Sequence, residues 1–103
     1  MQKFTTVYVL YSNRAYESSQ IKGIFLNKED AESMANSLKP DSYDSISIEE
    51  EVTRYPHCDM YAVLVEGSHS FVTDSLELAI AESKRILAVA SYSEVVSFAI
   101  IAN

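Results

Sequence analysis

From Thr5 to Ser12 the chain reads TTVYVLYS, in which Val7 and Val9 fall on one face and Tyr8 and Leu10 on the other. A stretch that is apolar on both faces predicts a strand interior to its sheet. Asn13 to Gln20 (NRAYESSQ) is polar and aperiodic, and is expected to form a loop. Ile21 to Leu26 resumes a strand, with Gly23 a candidate bulge. Asn27 with Asp30 resembles a capping box, and Ala31, Met34, Ala35 and Leu38 form the apolar stripe of a helix that Pro40 ends. Asp41 to Asp44 is a turn. Ser45 to Thr53 alternates Ile46, Ile48 and Val52 against Ser47, Glu49 and Glu51, which predicts a strand with one wet face.

The second half repeats this rhythm. After the connection Tyr55 to Asp59, Met60 to Glu66 reads as a strand, with Tyr61, Val63 and Val65 on one face and Met60, Ala62 and Leu64 on the other. Gly67 and Ser68 close it, and Ser70 to Thr73 adds a short strand. A second helix is capped by Asp74 with Glu77, and Leu76, Ala79, Ile80, Ser83, Ile86, Leu87 and Ala90 trace its apolar face. Glu94 to Ala102 (EVVSFAIIA) is apolar on both faces, so it is expected to be central and buried. The resulting fold class is α+β: a two-layer sandwich with a mostly antiparallel sheet and two helices on one face. Two plans fit, a tandem ββαβ pseudo-repeat over residues 5–53 and 59–103, or the ferredoxin-like β-α-β-β-α-β order.

The 103 residues make one domain, and 48% hydrophobic with 22% charged residues describes a globular chain and excludes disorder. A net charge of −7, with the eight basic residues scattered, excludes binding of nucleic acid by phosphate neutralisation. It leaves an acidic nucleic-acid mimic as one alternative. A single cysteine forms no internal disulfide, and MQKFTTVYVLYSNR lacks the apolar run of a signal peptide. The expected setting is the cytoplasm, with no membrane association.

In VYVLYS, a polar loop, GIFLNKEDAESMANSL and then an acidic strand, the first half resembles small ββαβ proteins of bacteriophage genomes. The resemblance implies a phage origin and a protein that binds and redirects a bacterial host or defence protein, acting there as a viral inhibitor. It carries no catalytic residue across.

Candidate chemistry concentrates in SISIEEEVTRYPHCDMYAVLVEG. Glu49 and Glu51 point the same way from one strand, whereas paired acid and base carboxylates converge across a cleft, so both are expected on a solvent face. His57, Cys58 and Asp59 crowd one turn and do not close on a single ion, even with His69. No GxGxxG, Walker loop, GxSxG or HExxH is present. The expectation is a protein that is not an enzyme, without cofactor or metal, whose seven tyrosines supply contact surface. Arg14, Tyr16 and Glu17 in the first loop, Tyr11 beside it, Glu49 and Glu51 on the acidic strand and Tyr55 are the expected partner-binding residues. A homodimer is compatible with this. The rival from another class is a small-molecule sensor or sponge that holds its ligand as a homodimer.

Overall fold

A computed structural model of the chain describes residues 3–14, 19–38 and 44–102, with backbone alone at Arg14 and Asp44. Among these residues the elements run β1 (Thr5–Arg14), β2 (Ser19–Phe25), α1 (Lys28–Ser37), β3 (Asp44–Thr53), β4 (Met60–Val65), β5 (Ser68–Thr73), α2 (Leu76–Leu87), β6 (Ser93–Phe98) and β7 (Ile100–Ile101). The α+β class holds, and the strands divide between two sheets, ordered β3-β1-β2-β7 and β5-β4-β6. In each half the first strand is central, with its hairpin partner on one side and the strand after the helix on the other, all antiparallel. This is the order of a repeated ββαβ unit. In the ferredoxin-like plan the two halves would interleave in one sheet.

Alternation along β1 sets the layers. Val7, Val9 and Tyr11 join Ile21, Ile24, Met60 and Ala62 in a core between the sheets, flanked by Val72 and Phe98. Leu10, on the opposite face, packs with Phe25 and Ala31 beneath α1, alongside Ile46 and Ile48. α2 lies across β4 and β6, on the face where Val63 is buried. The helices therefore clothe the outer faces of two sheets packed on each other, one helix to each. Burial of each large aliphatic side chain in these cores contributes about 1.5–3 kcal/mol.

Each hairpin carries a bulge. In the first, Leu10 faces Gly23 but Tyr11 faces Ile21, so Lys22 is the extra residue. Because of it, Ile21 and Ile24 both reach the inter-sheet core, which strict alternation forbids. Gly23 adjoins the bulge for a steric reason: a Cβ there would stand 2.8 Å from Phe25 Cε2. In the second, Tyr61 faces Thr73 while Val63 faces Ser70, and Phe71 within the slip has φ +48°. The β4–β5 turn is tight, with positive φ at both Glu66 (48°) and Gly67 (92°), the pattern of a type I′ hairpin turn.

Several local expectations are corrected. Of the polar stretch Asn13–Gln20, residues 13, 14, 19 and 20 are strand, with Asn13 paired to Ser19; residues 15–18 lie outside the described residues, as do Pro40 and residues 41–43 of the expected turn. Hydrogen bonding across the sheet overrides the weak local propensity of those residues. Asn27 makes no side-chain cap; its Nδ2 donates instead to Asp30 Oδ2 at 3.3 Å. α2 is capped by Ser75, whose Oγ accepts from the Leu78 N–H at 3.2 Å. Asp74 is engaged elsewhere, accepting from the Arg54 backbone N–H at 2.8 Å and from Arg54 Nε and Nη2 at 3.3 Å each. The EVVSFAIIA segment is not a central strand. Among the described residues β6 pairs with β4 alone, and after Ala99 the chain crosses to the first sheet, where Ile100 and Ile101 run parallel to Ile24 and Phe25 of β2. Its apolar residues serve two sheets in turn. Among the described residues no helix is long and apolar enough to cross a membrane.

Candidate functional site: an acidic cleft between the sheets

The wet face of β3 is the face turned toward the second sheet. Glu49 stands opposite Val9 and Glu51 opposite Val7, so both carboxylates project on the side where β1 contributes to the inter-sheet core. That core stops short of them. The space left is a cleft of about 550 Å³, bounded on the first sheet by Tyr11, Asn13, Ser19, Glu49 and Glu51, and on the second by β5 from His69 to Val72. The expectation of a plain solvent face for the two glutamates is thus corrected: Glu49 is exposed and Glu51 half-buried, but they share a walled space. They remain on one strand, about 7 Å apart along it by strand geometry.

The walls are fixed by hydrogen bonds between the sheets. The Ile21 N–H donates to His69 Nδ1 at 2.9 Å, and the Ser19 N–H to Ser68 Oγ at 3.3 Å. These side chains satisfy the outer edge of β2 where β7 does not reach it. With Nδ1 accepting, the neutral imidazole carries its proton on Nε2. Burial, and then the charge of Lys22, hold the His69 pKa below its ordinary value, so it is neutral at pH 7. Its ring also meets Phe98 edge-on, with centroids 5.3 Å apart. On the other wall Asn13 Nδ2 donates to Ser47 Oγ at 2.9 Å, tying β1 to β3.

Electrostatics in the cleft are one-sided. Burial pushes the Tyr11 phenol up to about 12, with the charges of Glu49 and Glu51 adding to it. Burial raises Glu51 as well, followed by the repulsion of Glu49. Among the described residues that line the cleft there is no Lys or Arg. A carboxylate disfavoured by burial and by a like charge is a group to which an arriving cation would bind favourably. Phe71 adds an aromatic surface, 45% exposed and held at positive φ, a conformation rare for a bulky residue and costing about 1–3 kcal/mol. Among the described residues no three His, Cys, Asp or Glu side chains are grouped to hold a metal ion.

Of the expected site residues, the fold brings Tyr11, Glu49 and Glu51 together. Tyr55 is not among the residues lining the cleft; it lies in the β3–β4 connection with the Arg54 guanidinium 5.5 Å from its ring centroid. Tyr16 and Glu17 lie outside the described residues, and Arg14 is placed by backbone only, opposite Asp44. His57, Cys58 and Asp59 are exposed in that same β3–β4 connection, where the Cys58 N–H donates to the Tyr55 carbonyl at 2.9 Å. Asn13 comes from the same stretch as the expected Arg14 and Tyr16, whereas His69 and Phe71 belong to the site without having been expected there. Nothing local in the sequence signals Phe71, because its positive φ arises from the bulge.

Fold and cleft together define an α+β protein of two ββαβ units with an acidic groove between their sheets. Residues 5–58, the whole first unit and the turn beyond it, match the family described as Domain of unknown function (DUF7336), and the chain belongs to that family. No curated protein and no solved structure matches the chain.

Proposed function

We propose that the protein is a non-enzymatic interaction module that receives a lysine or arginine side chain of a partner protein in the inter-sheet cleft. The observation that carries this reading is the pair Glu49 and Glu51, confined in a cleft that has no Lys or Arg among the described residues lining it. Glu51, the half-buried member, would form the closer ion pair, Glu49 would add charge at the rim, and the Phe71 ring would cover the aliphatic stem or the guanidinium face. Tyr11, a phenol at any physiological pH, supplies a hydroxyl. The cleft is open, which suits a side chain on a larger body better than an engulfed metabolite. If the partner is the bacterial host or defence protein implied by the phage resemblance, it presents a basic segment.

The test is a ¹H–¹⁵N NMR titration with a short lysine- and arginine-rich peptide, repeated with free butylamine and methylguanidinium. Expected are peptide-dependent shifts at Tyr11, Glu49, Glu51 and Phe71 that vanish at about 1 M salt, where the Debye length is about 3 Å. Glu49→Gln with Glu51→Gln should weaken binding about tenfold or more, equivalent to roughly 1.4 kcal/mol. Shifts located elsewhere, or unaffected by the double substitution, would refute the cleft. Small amines bound as tightly as the peptide would favour the small-molecule sensor.

A further inference from the structure

The four sheet edges are treated differently. The outer edge of β2 is occupied by β7 and by the side chains of Ser68 and His69. The β3 edge carries three consecutive glutamates, Glu49 to Glu51. The β5 edge is bent by its bulge at Phe71. Charges, bulges and covering groups are the usual means of preventing strand addition. β6 has none of them along most of its length: SEVVSF contains one charge, no proline and no register shift against β4, and in the described residues only β4 pairs with it.

Above this open edge runs an apolar flank of α2. Leu76, Ile80 and Leu87 are 45%, 40% and 47% exposed, although the sequence pattern assigns them to the buried face. Only Ala79 and Ser83 of this helix are buried. Ser83 Oγ lies 2.8 Å from Ser93 Oγ, which turns this side of the helix toward β6. Leu76, Ile80 and Leu87 lie at i, i+4 and i+11 on one flank of the helix, the spacing of a seam against another helix, with Ser83 covered by β6 beside it.

We infer that this surface pairs with a second copy of the chain. A two-fold axis perpendicular to the second sheet would set β6 antiparallel to β6 of the other copy, making one continuous six-stranded sheet, and would bring the two α2 helices together antiparallel. Strands in a sheet are about 4.8 Å apart, so helices seated over β4 and β6 then lie roughly 10–14 Å apart, near helix-packing distance. The charges agree with this one orientation. Glu77 and Lys84 occupy equivalent positions beside the seam, one heptad apart, and antiparallel pairing sets Glu77 of each copy beside Lys84 of the other. Leu76 of each meets Leu87 of the other, with Ile80 of both copies between these pairs; Ser83, covered by β6, stays outside the contact. The helix is about 18 Å long and the two layers about 20 Å deep. A face of that size is modest beside the ~800 Å² per partner of a standard interface, so the pair forms and separates with concentration. None of these residues lines the cleft, and the dimer stands or falls independently of the cation reading.

Sedimentation equilibrium from about 1 µM to 1 mM tests it. The mass should rise from the 11.5 kDa of one chain toward twice that value. Ile80→Glu, at an exposed position, should lower dimer affinity at least tenfold with unchanged circular dichroism. Glu77→Lys and Lys84→Glu should each weaken the dimer, and the double charge exchange should restore it; these exposed positions decide the matter even if Ile80→Glu folds poorly. A monomer at every concentration, a dimer indifferent to Ile80→Glu, or a charge exchange that fails to restore pairing would each overturn the assignment.

Discussion

The backbone at Phe71 offers a measurement in which strain and side-chain loss can be separated. Phe71 has φ +48° inside the β5 bulge, its ring half-exposed over the cleft. Replacement by Ala or by Gly removes the same aromatic ring, and a half-buried phenylalanine contributes about 1–1.5 kcal/mol of burial in either case. The two variants then differ in backbone alone. Alanine keeps the left-handed penalty of about 1–2 kcal/mol, whereas glycine adopts that conformation freely and loses about 0.5–1 kcal/mol to its greater unfolded-state entropy. Phe71→Gly should therefore be more stable than Phe71→Ala by about 0.5–1 kcal/mol, the reverse of the order at an ordinary strand position. For a domain of this size that is a melting difference of roughly 2–8 °C. Urea denaturation followed by circular dichroism, with thermal melts as a second readout, measures it. An alanine variant more stable than the glycine one would refute the strained bulge. Both should bind the basic peptide more weakly than the parent, because both lack the ring.

Two further outcomes follow from charges the fold constrains. The pKa of Glu51 is raised in the folded state, by burial first and by Glu49 second. Its stabilising contribution is thus present when the carboxyl is protonated, below the unfolded value, and lost as pH rises through the folded one; Glu51→Gln should raise the melting temperature at pH 7 and change it little near pH 4. No gain at neutral pH would mean that Glu51 already has a compensating partner. Asp74 is opposite in sign: burial pushes its pKa up, but the hydrogen bonds from Arg54 and the guanidinium charge outweigh this and hold it below the usual value. Its stabilisation is present above the unfolded value and lost as pH falls through the folded one, so Asp74→Asn should lower the melting temperature at pH 7 and lose its effect in acid. An equal loss at both pH values would assign Asp74 a purely steric role.

Hydrophobic alternation located both helices, the strands up to β6, the interior place of β1 and the α+β class, because period-2 and period-3.6 patterns are local properties of the chain; it merged β7 with β6. It also located Gly23 near a bulge. Where alternation was followed along one strand, as for Ile46 and Ile48 against Glu49 and Glu51, the two faces were assigned correctly. What lay opposite the polar face was not legible. Only the packing of the second sheet on the first turned two surface glutamates into the wall of a cleft, with His69 and Phe71 delivered from β5, some twenty residues further along the chain. The same holds for α2 and β6. Their patterns state how much apolar surface each element has, and they suggested burial of one face of α2 and of both faces of the EVVSFAIIA segment. How much of it is covered depends on which neighbours arrive, and here β4 covers one edge of β6 while Leu76, Ile80 and Leu87 stay in solvent. Caps were misplaced for a related reason: Asp74 can accept from its own helix or from Arg54, and the long-range partner won. Local pattern fixes what a segment can bury or bond; tertiary structure decides which of those possibilities is taken, because the competing partners are distant in sequence and adjacent only after folding.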